Sequence, residues 1–314
     1  MTYIIQIISG ILMLYAGAEA LCRGSAALAR RHNIPPLVIG LTIVAYGTSA
    51  PEMVVSIRAA MTGYGDIAVG NVVGSNICNI GLILGISAMI HPIRVHVGLI
   101  RKDIPVMIAA TLLCCVFLLD GKTDRPEGVI LLVMLGLFTW ITIRRAGGTA
   151  THQTAAMPVD IGASMMQRPW MDWIFIFSGL GILILGARIL IGGSIRAATL
   201  LGISEAFIGL TIVAVGTSLP ELATSVVAAW KNQSDMAAGN VIGSNIFNLL
   251  GIMGVSSTIH PFSSKSMNAG NLLALSVITM LSLPLMKSGF ELKRWEGGIL
   301  VLIYAIYIFS IWPG

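Results

Sequence analysis

Apolar residues run along this chain in stretches of about twenty, broken by short polar turns, over nearly its whole length. The stretches fall at 4–24, 36–60, 67–90, 99–119, 127–144, 172–192, 206–229, 237–260, 268–287 and 295–312. Each is long enough to cross a bilayer as an α-helix, which takes roughly 20 residues. They are continuous and do not alternate, which argues against a membrane β-barrel. The pattern predicts an all-α polytopic membrane protein with ten transmembrane helices. Pro51 interrupts the second stretch, so 36–60 is expected as two half-helices.

The stretches are not independent. A shift of 169 residues (209 − 40) brings "GLTIVAYGTSAPE" at 40–52 onto "GLTIVAVGTSLPE" at 209–221. It also brings "GNVVGSNICN" at 70–79 onto "GNVIGSNIFN" at 239–248, and His91-Pro92 onto His260-Pro261. Of the 53 positions from 40 to 92, 30 are identical to their mates, and the register continues to Arg125/Arg294 and Glu127/Glu296. The chain therefore divides into a first five-helix repeat at 1–145, a short linker at 146–170 and a second five-helix repeat at 171–314. Five is odd, so a second repeat that follows directly is inverted relative to the first, a plan common among secondary transporters.

Composition agrees with a membrane chain. Hydrophobic residues make up 56% of it and charged residues 11%, against about 25% charged in soluble domains. The net charge of +5 matters through its distribution. Thirteen of the 19 Lys and Arg residues fall in or beside the loops after odd-numbered spans, among them Arg23, Arg30, Arg31, Arg101, Lys102, Arg144, Arg145 and Lys231. The positive-inside rule makes those loops cytoplasmic. Both termini are then outside and the central loop inside, and nucleic acid is not an expected partner. No protein partner is evident either. The basic residues follow the first apolar stretch and do not precede it, so that stretch reads as a span and not a cleaved signal. The linker's His152 and Asp160 read as solvated, and His91 and His260 as interfacial caps. The tryptophans sit near span ends, as interfacial anchors do. Cys22, Cys78, Cys114 and Cys115 lack metal or redox spacing and read as packing residues.

Candidate chemistry lies in the repeated motifs. Pro51 lacks an N–H and its ring opposes the carbonyl of Gly47, so a break at membrane depth is expected there, with Pro220 and Gly216 repeating it. Glu52 and Glu221 read as the only acidic residues well inside a span. A charge there costs at least about 2.5–3.5 kcal/mol, so the pair calls for a cation or for protons. Thr48 and Ser49 lie on or beside the helical face of Glu52, as do Thr217 and Ser218 for Glu221. Hydroxyls, carbonyls and carboxylates are hard oxygen donors suited to Ca²⁺. They do not suit zinc or copper, and Mg²⁺ demands a tighter octahedron. Na⁺ is close to Ca²⁺ in size and can compete for the same oxygens. In the second motif, Gly70 and Gly74, with Gly239 and Gly243, have the spacing that lets helices approach closely. Ser75 and Asn79 share a face, as do Ser244 and Asn248, and are assigned to the site. Asn71, Asn76, Asn240 and Asn245 are assigned to interhelical hydrogen bonds. No HExxH occurs, and no Ser/His pair lies at membrane depth, so an enzyme is not expected. The residues alone leave open a Na⁺/Ca²⁺ antiporter, a Ca²⁺/H⁺ antiporter and a cation channel.

"GTSAPE" with "GNVVGSNICN", and "GTSLPE" with "GNVIGSNIFN", resemble the two α-repeats of the calcium/cation antiporter superfamily, in its prokaryotic sodium/calcium exchanger branch. The resemblance implies a Na⁺/Ca²⁺ antiporter of a prokaryotic inner membrane, without a cofactor. It implies ion-binding roles for the carbonyl of Ala45 and for Thr48, Ser49, Glu52, Ser75 and Asn79. In the second repeat it implies them for Ala214, Thr217, Ser218, Glu221, Ser244 and Asn248. It places one Ca²⁺ site between the glutamates, flanked by Na⁺ sites, and implies that spans 1 and 6 slide past a rigid core. Proton-coupled relatives usually show a "GNAxE" pattern instead. One departure stands out: archaeal relatives and potassium-dependent exchangers carry Asp where this chain has Asn248. That implies one carboxylate fewer and no potassium dependence.

Overall fold

A computed structural model describes residues 2–146, 168–201, 214–264 and 269–311. The linker with His152 and Asp160, and the expected start of the seventh span at 206–213, lie outside the described residues. The described residues are mainly helical: α1 (Thr2–Arg31), α2 (Pro36–Thr48), α3 (Ala50–Met61), α4 (Gly65–Ile90), α5 (Ile104–Phe117), α6 (Arg125–Ala146), α7 (Pro169–Leu200), α8 (Leu219–Trp230), α9 (Ser234–Ile259), α10 (Ala269–Lys287) and α11 (Arg294–Ser310). One turn, Ala214–Gly216, precedes α8.

Among the described residues, six helices are long and apolar enough to cross a membrane. The pair α2 and α3, bent by 47°, makes a seventh if it counts as one span. The expected fourth span appears as the π-turn Leu99–Asp103 running directly into α5, and the tenth as α11, of 17 residues. Large apolar side chains such as Ile8, Phe177, Leu302 and Phe309 stand exposed, as lipid-facing residues do. The molecule is an all-helical membrane protein.

Two sets of contacts organise it. The larger apolar core joins α4, α5, α9, α10 and α11 through residues such as Ile80, Leu84, Met107, Ile246 and Leu300. A second core joins α1 and α7 to α2, α8 and the start of α9 through Leu21, Ile176, Leu183, Val44 and Val227. α1 and α7 run antiparallel along a seam of glycines spaced every seven residues: Gly10, Gly17 and Gly24 on one, Gly179, Gly186 and Gly193 on the other. A Cβ on Gly17 would sit 2.7 Å from the backbone N of Leu183, and one on Gly186 2.8 Å from Cβ of Met13. Only glycine lets the two backbones come this close.

α1 runs seven residues past its expected end at residue 24. Its polar last turn is held because Arg31 Nε donates to Asp172 Oδ2 at 2.6 Å, and Asp172 is fully buried at the start of α7. A second correction concerns charge. Glu52 and Glu221 are not the only acids at depth, because Glu19 lies well inside α1. Unlike that pair, it is paired, accepting bonds from Arg23 one turn along and from Lys231 in the turn after α8.

Two short antiparallel clips tie the halves together. β1 (Ile93–Arg94) pairs with β4 (Glu291–Leu292), and β2 (Lys122–Thr123) with β3 (Phe262–Ser263). The 169-residue shift carries β1 onto β3 and β2 onto β4, so each clip joins one half of the sequence to the other. His91 and His260 end α4 and α9 just before β1 and β3. All four cysteines are free thiols; Cys22, Cys78 and Cys114 are buried and Cys115 is half-buried.

Candidate functional site

The break in the second stretch falls at Ser49, between α2 and α3, and not at Gly47. Pro51 sits in the first turn of α3, where a missing N–H costs no intrahelical bond. Gly47 serves close approach instead: a Cβ there would meet the Leu180 side chain of α7 at 2.7 Å. Its mate Gly216 meets Ile191 of the same helix at 2.6 Å. Ser218 forms the matching break before α8, with Pro220 again in the first turn. Both breaks aim a glutamate inward: Glu52 and Glu221 are each 1% exposed.

The two breaks are stitched by reciprocal bonds. Ser49 Oγ donates to Glu221 Oε1 at 2.8 Å, and Ser218 Oγ donates to Glu52 Oε1 at 3.0 Å. Thr48 Oγ1 lies 3.3 Å from Asn240 Oδ1, and Thr217 Oγ1 lies 3.5 Å from Asn71 Oδ1. Asn71 Nδ2 donates to the Glu52 carbonyl at 3.1 Å and to Ser56 Oγ at 2.9 Å. Asn240 does the same to the Glu221 carbonyl at 3.4 Å and to Ser225 Oγ at 2.9 Å. Each bond in one half has its mate 169 residues away. Thr48 also donates to the Ala45 carbonyl at 3.2 Å, which Ser244 Oγ reaches at 3.4 Å. Ala214 opens the single turn before α8.

Around this frame lie buried polar atoms without a partner among the described residues: Glu52 Oε2, Glu221 Oε2, Ser75 Oγ, both amide atoms of Asn79 and Asn248 Oδ1. Orphaned polar atoms are rare in native interiors and mark a functional demand or an ion. Asn79 and Asn248 lie in single π-turns, Asn79–Leu84 and Phe247–Ile252, a distortion frequent at functional sites. The structure thus joins Ala45, Thr48, Ser49 and Glu52 to Ser218, Glu221 and Ser244 by hydrogen bonds. Ser75, Asn79 and Asn248 are buried on α4 and α9 but do not bond the carboxylates. No group of three or more His, Cys, Asp or Glu forms a metal cluster among the described residues. The buried polar groups gathered here are two carboxylates with neutral hydroxyl, carbonyl and amide groups.

Several sequence assignments shift. Asn71 and Asn240 make the expected interhelical bonds. Asn76 does not: it donates to Val72 on its own helix at 2.7 Å, and Asn245 has neither amide atom bonded. Gly239 and Gly243 do allow close approach, since a Cβ on either would lie within 3 Å of the α2 backbone. Gly70 and Gly74 meet nothing within 4 Å among the described residues. Ser56 and Ser225, which anchor Asn71 and Asn240, went unassigned. Their signal was available: both stand four residues past a motif glutamate in the same repeat register.

Comparison with known proteins agrees with this geometry. The family model described as sodium/calcium exchanger protein matches residues 2–144 and 171–312. The putative antiporter CaxA of Alkalimonas amylolytica is 37% identical over 308 residues, covering 96% of each chain. The sodium/calcium exchanger MaX1 of Methanosarcina acetivorans is 30% identical, covering 95% of each. Among solved structures, the sodium-calcium exchanger NCX_Mj soaked with 2.5 mM Na⁺ and 0.1 mM Ca²⁺ matches with a TM-score of 0.84 and 32% identity, covering 99% of each chain. With the paired GTSxPE breaks and their reciprocal bonds, these likenesses lead to one conclusion: the chain belongs to the sodium/calcium exchanger family.

Proposed function

We propose that this protein exchanges Na⁺ for Ca²⁺ by alternating access, as ten spans in two inverted five-helix repeats. The carrying observation is the pair of cross-bonds, Ser49 to Glu221 and Ser218 to Glu52. They draw the two carboxylates to one point between the helix breaks and leave Oε2 of each without a partner. A net charge of about −2 is what one Ca²⁺ neutralises, and Ca²⁺ takes six to eight oxygens. Asn79, Asn248, Ser75 and the Ala45 carbonyl are the neutral oxygens proposed to complete the set with Thr48, Ser244 and their mates Thr217 and Ala214. Several Na⁺ replace one Ca²⁺ by dividing the same carboxylates, hydroxyls and carbonyls. Coupling follows because crossing with the site bare would bury two uncompensated charges.

The moving part is proposed to be α1 with α7. The glycine seam between them supports their motion as one unit past the helices that carry the site. The distribution of Lys and Arg supports both termini outside, and the prokaryotic relatives support a prokaryotic cell membrane. Purified protein in liposomes tests the function, with Na⁺, K⁺, H⁺ and divalent gradients varied one at a time. Uptake of ⁴⁵Ca²⁺ driven by an outward Na⁺ gradient is expected. Uptake driven by a pH gradient alone would overturn the sodium assignment.

A further inference from the structure

We propose that Glu19 and Lys231 are positioning residues. They form a one-sided tie that holds α1 against the ion-binding helices and biases which face of the membrane the site opens to. The proposal rests on the alternating-access reading above.

Tyr15, Glu19 and Arg23 recur every four residues and share one face of α1. That face meets the turn between α8 and α9. Lys231 Nζ and Arg23 Nε both donate to Glu19 Oε1, and the Tyr15 and Trp230 rings lie 6.4 Å apart. The turn is strategic, because α8 carries Glu221 and α9 carries Ser244 and Asn248. α7 follows α1, being joined to it by the glycine seam and by Arg31 with the buried Asp172. A load on Glu19 is therefore a load on the whole two-helix unit.

The repeat makes the tie informative. The mates of Tyr15, Glu19 and Arg23 are Ile184, Arg188 and Gly192, and those of Trp230 and Lys231 are Met61 and Thr62. Neither a carboxylate nor an ammonium stands at the mate of this contact. Thr62 Oγ1 donates instead to the Arg58 carbonyl of its own helix at 2.8 Å. In an inverted repeat the two end states exchange the conformations of the halves. A fully symmetric molecule would populate both equally. A conformational equilibrium moves only by an interaction that differs between its states, and a tie present at one end supplies that difference. Lys231 is exposed and Glu19 half-buried, so the tie is a modest one, within the range of exposed ion pairs.

The test uses full-length protein in oriented vesicles, with half-saturating Ca²⁺ measured on each face. Glu19→Gln and Lys231→Gln are expected to shift the ratio of the two values in the same direction, by about twofold to fivefold, the range of an exposed ion pair. The exchanged pair Glu19→Lys with Lys231→Glu should restore it. An unchanged ratio in an exchanging Glu19→Gln protein overturns the proposal, and so does a fall in rate alone. If the Glu19 variants do not fold, Thr62→Lys with Arg188→Glu installs a tie at the opposite end. It should move the ratio the other way, and no movement overturns the proposal. A readout independent of transport separates this from a failure of the exchange reading. Spin labels replace the exposed Ile8 of α1 and Leu302 of α11. Their distance distribution should change with Lys231→Gln, and an unchanged distribution counts against the tie alone.

Discussion

The centre of the molecule and the face of α1 around Glu19 follow opposite rules. At the centre bonds come in mated pairs: Ser49 and Ser218, Asn71 and Asn240, Thr48 and Thr217 make the same contacts in the two halves. On that face of α1 the mates have been replaced: Glu19 finds Lys231, whereas the corresponding positions are Arg188 and Thr62. The two regions divide the task. In the proposed exchange, a cage of mated bonds from both halves would do little to distinguish the two faces of the membrane. Direction has to come from places where the copies differ.

Paired substitutions measure how far the central symmetry holds. The largest effect is expected from Glu52→Gln and Glu221→Gln, each lowering Na⁺-driven ⁴⁵Ca²⁺ uptake by about 100-fold or more, because each removes half of the charge that holds Ca²⁺. Retained uptake in either one would show that a single carboxylate suffices. Next come Ser49→Ala and Ser218→Ala. Each loses a hydrogen bond to a charged group, worth about 1.5–3 kcal/mol, and should raise the half-saturating Ca²⁺ by at least about tenfold. Equal losses would mark a symmetric cage, and a gap of more than tenfold would break the comparison. Asn71→Ala and Asn240→Ala should act on stability more than on transport. Asn240→Ala takes from the buried Ser225 hydroxyl its bond to Asn240 at a cost of about 1–3 kcal/mol, readable as a lower melting temperature in detergent, whereas Ser56 keeps its bond to the Ala68 carbonyl, so Asn71→Ala should cost less. The smallest effect, about threefold tighter Ca²⁺, is expected for Asn79→Asp and for Asn248→Asp, since added ligand charge tunes Ca²⁺ affinity. An effect confined to Asn248→Asp would show that the two halves hold the ion differently.

Much of this was legible in the residues because a repeat doubles every signal. One Pro-Glu pair inside an apolar stretch reads as a kink; two at a fixed offset read as a site. The helical membrane class, the paired glutamates and the hydroxyls beside them came from that doubling. What escaped was what the repeat does not encode. Glu19 lacks an acidic mate, and its partner Lys231 lies 212 residues away, so no local pattern announces the pairing. The function of Gly47 was misjudged because its neighbour Leu180 is distant in sequence, whereas Pro51 is adjacent. Asn245 shows the limit of analogy within a helix: it shares its type with Asn240, five residues earlier, but not its face.

The strand clips have a consequence for how the protein is made. Each joins a strand of the first half to one from the second, Ile93 with Leu292 and Thr123 with Phe262. At roughly 5–20 residues per second, the 199 residues between Ile93 and Leu292 take about 10–40 s to synthesise. During that interval the first half sits in the bilayer with the edges of β1 and β2 open, on loops at its surface. It cannot close on itself, because its own two strands pair with others. The clips are therefore the seam along which a half-made molecule waits. Two halves made as separate chains, split within the linker, have the means to find each other there.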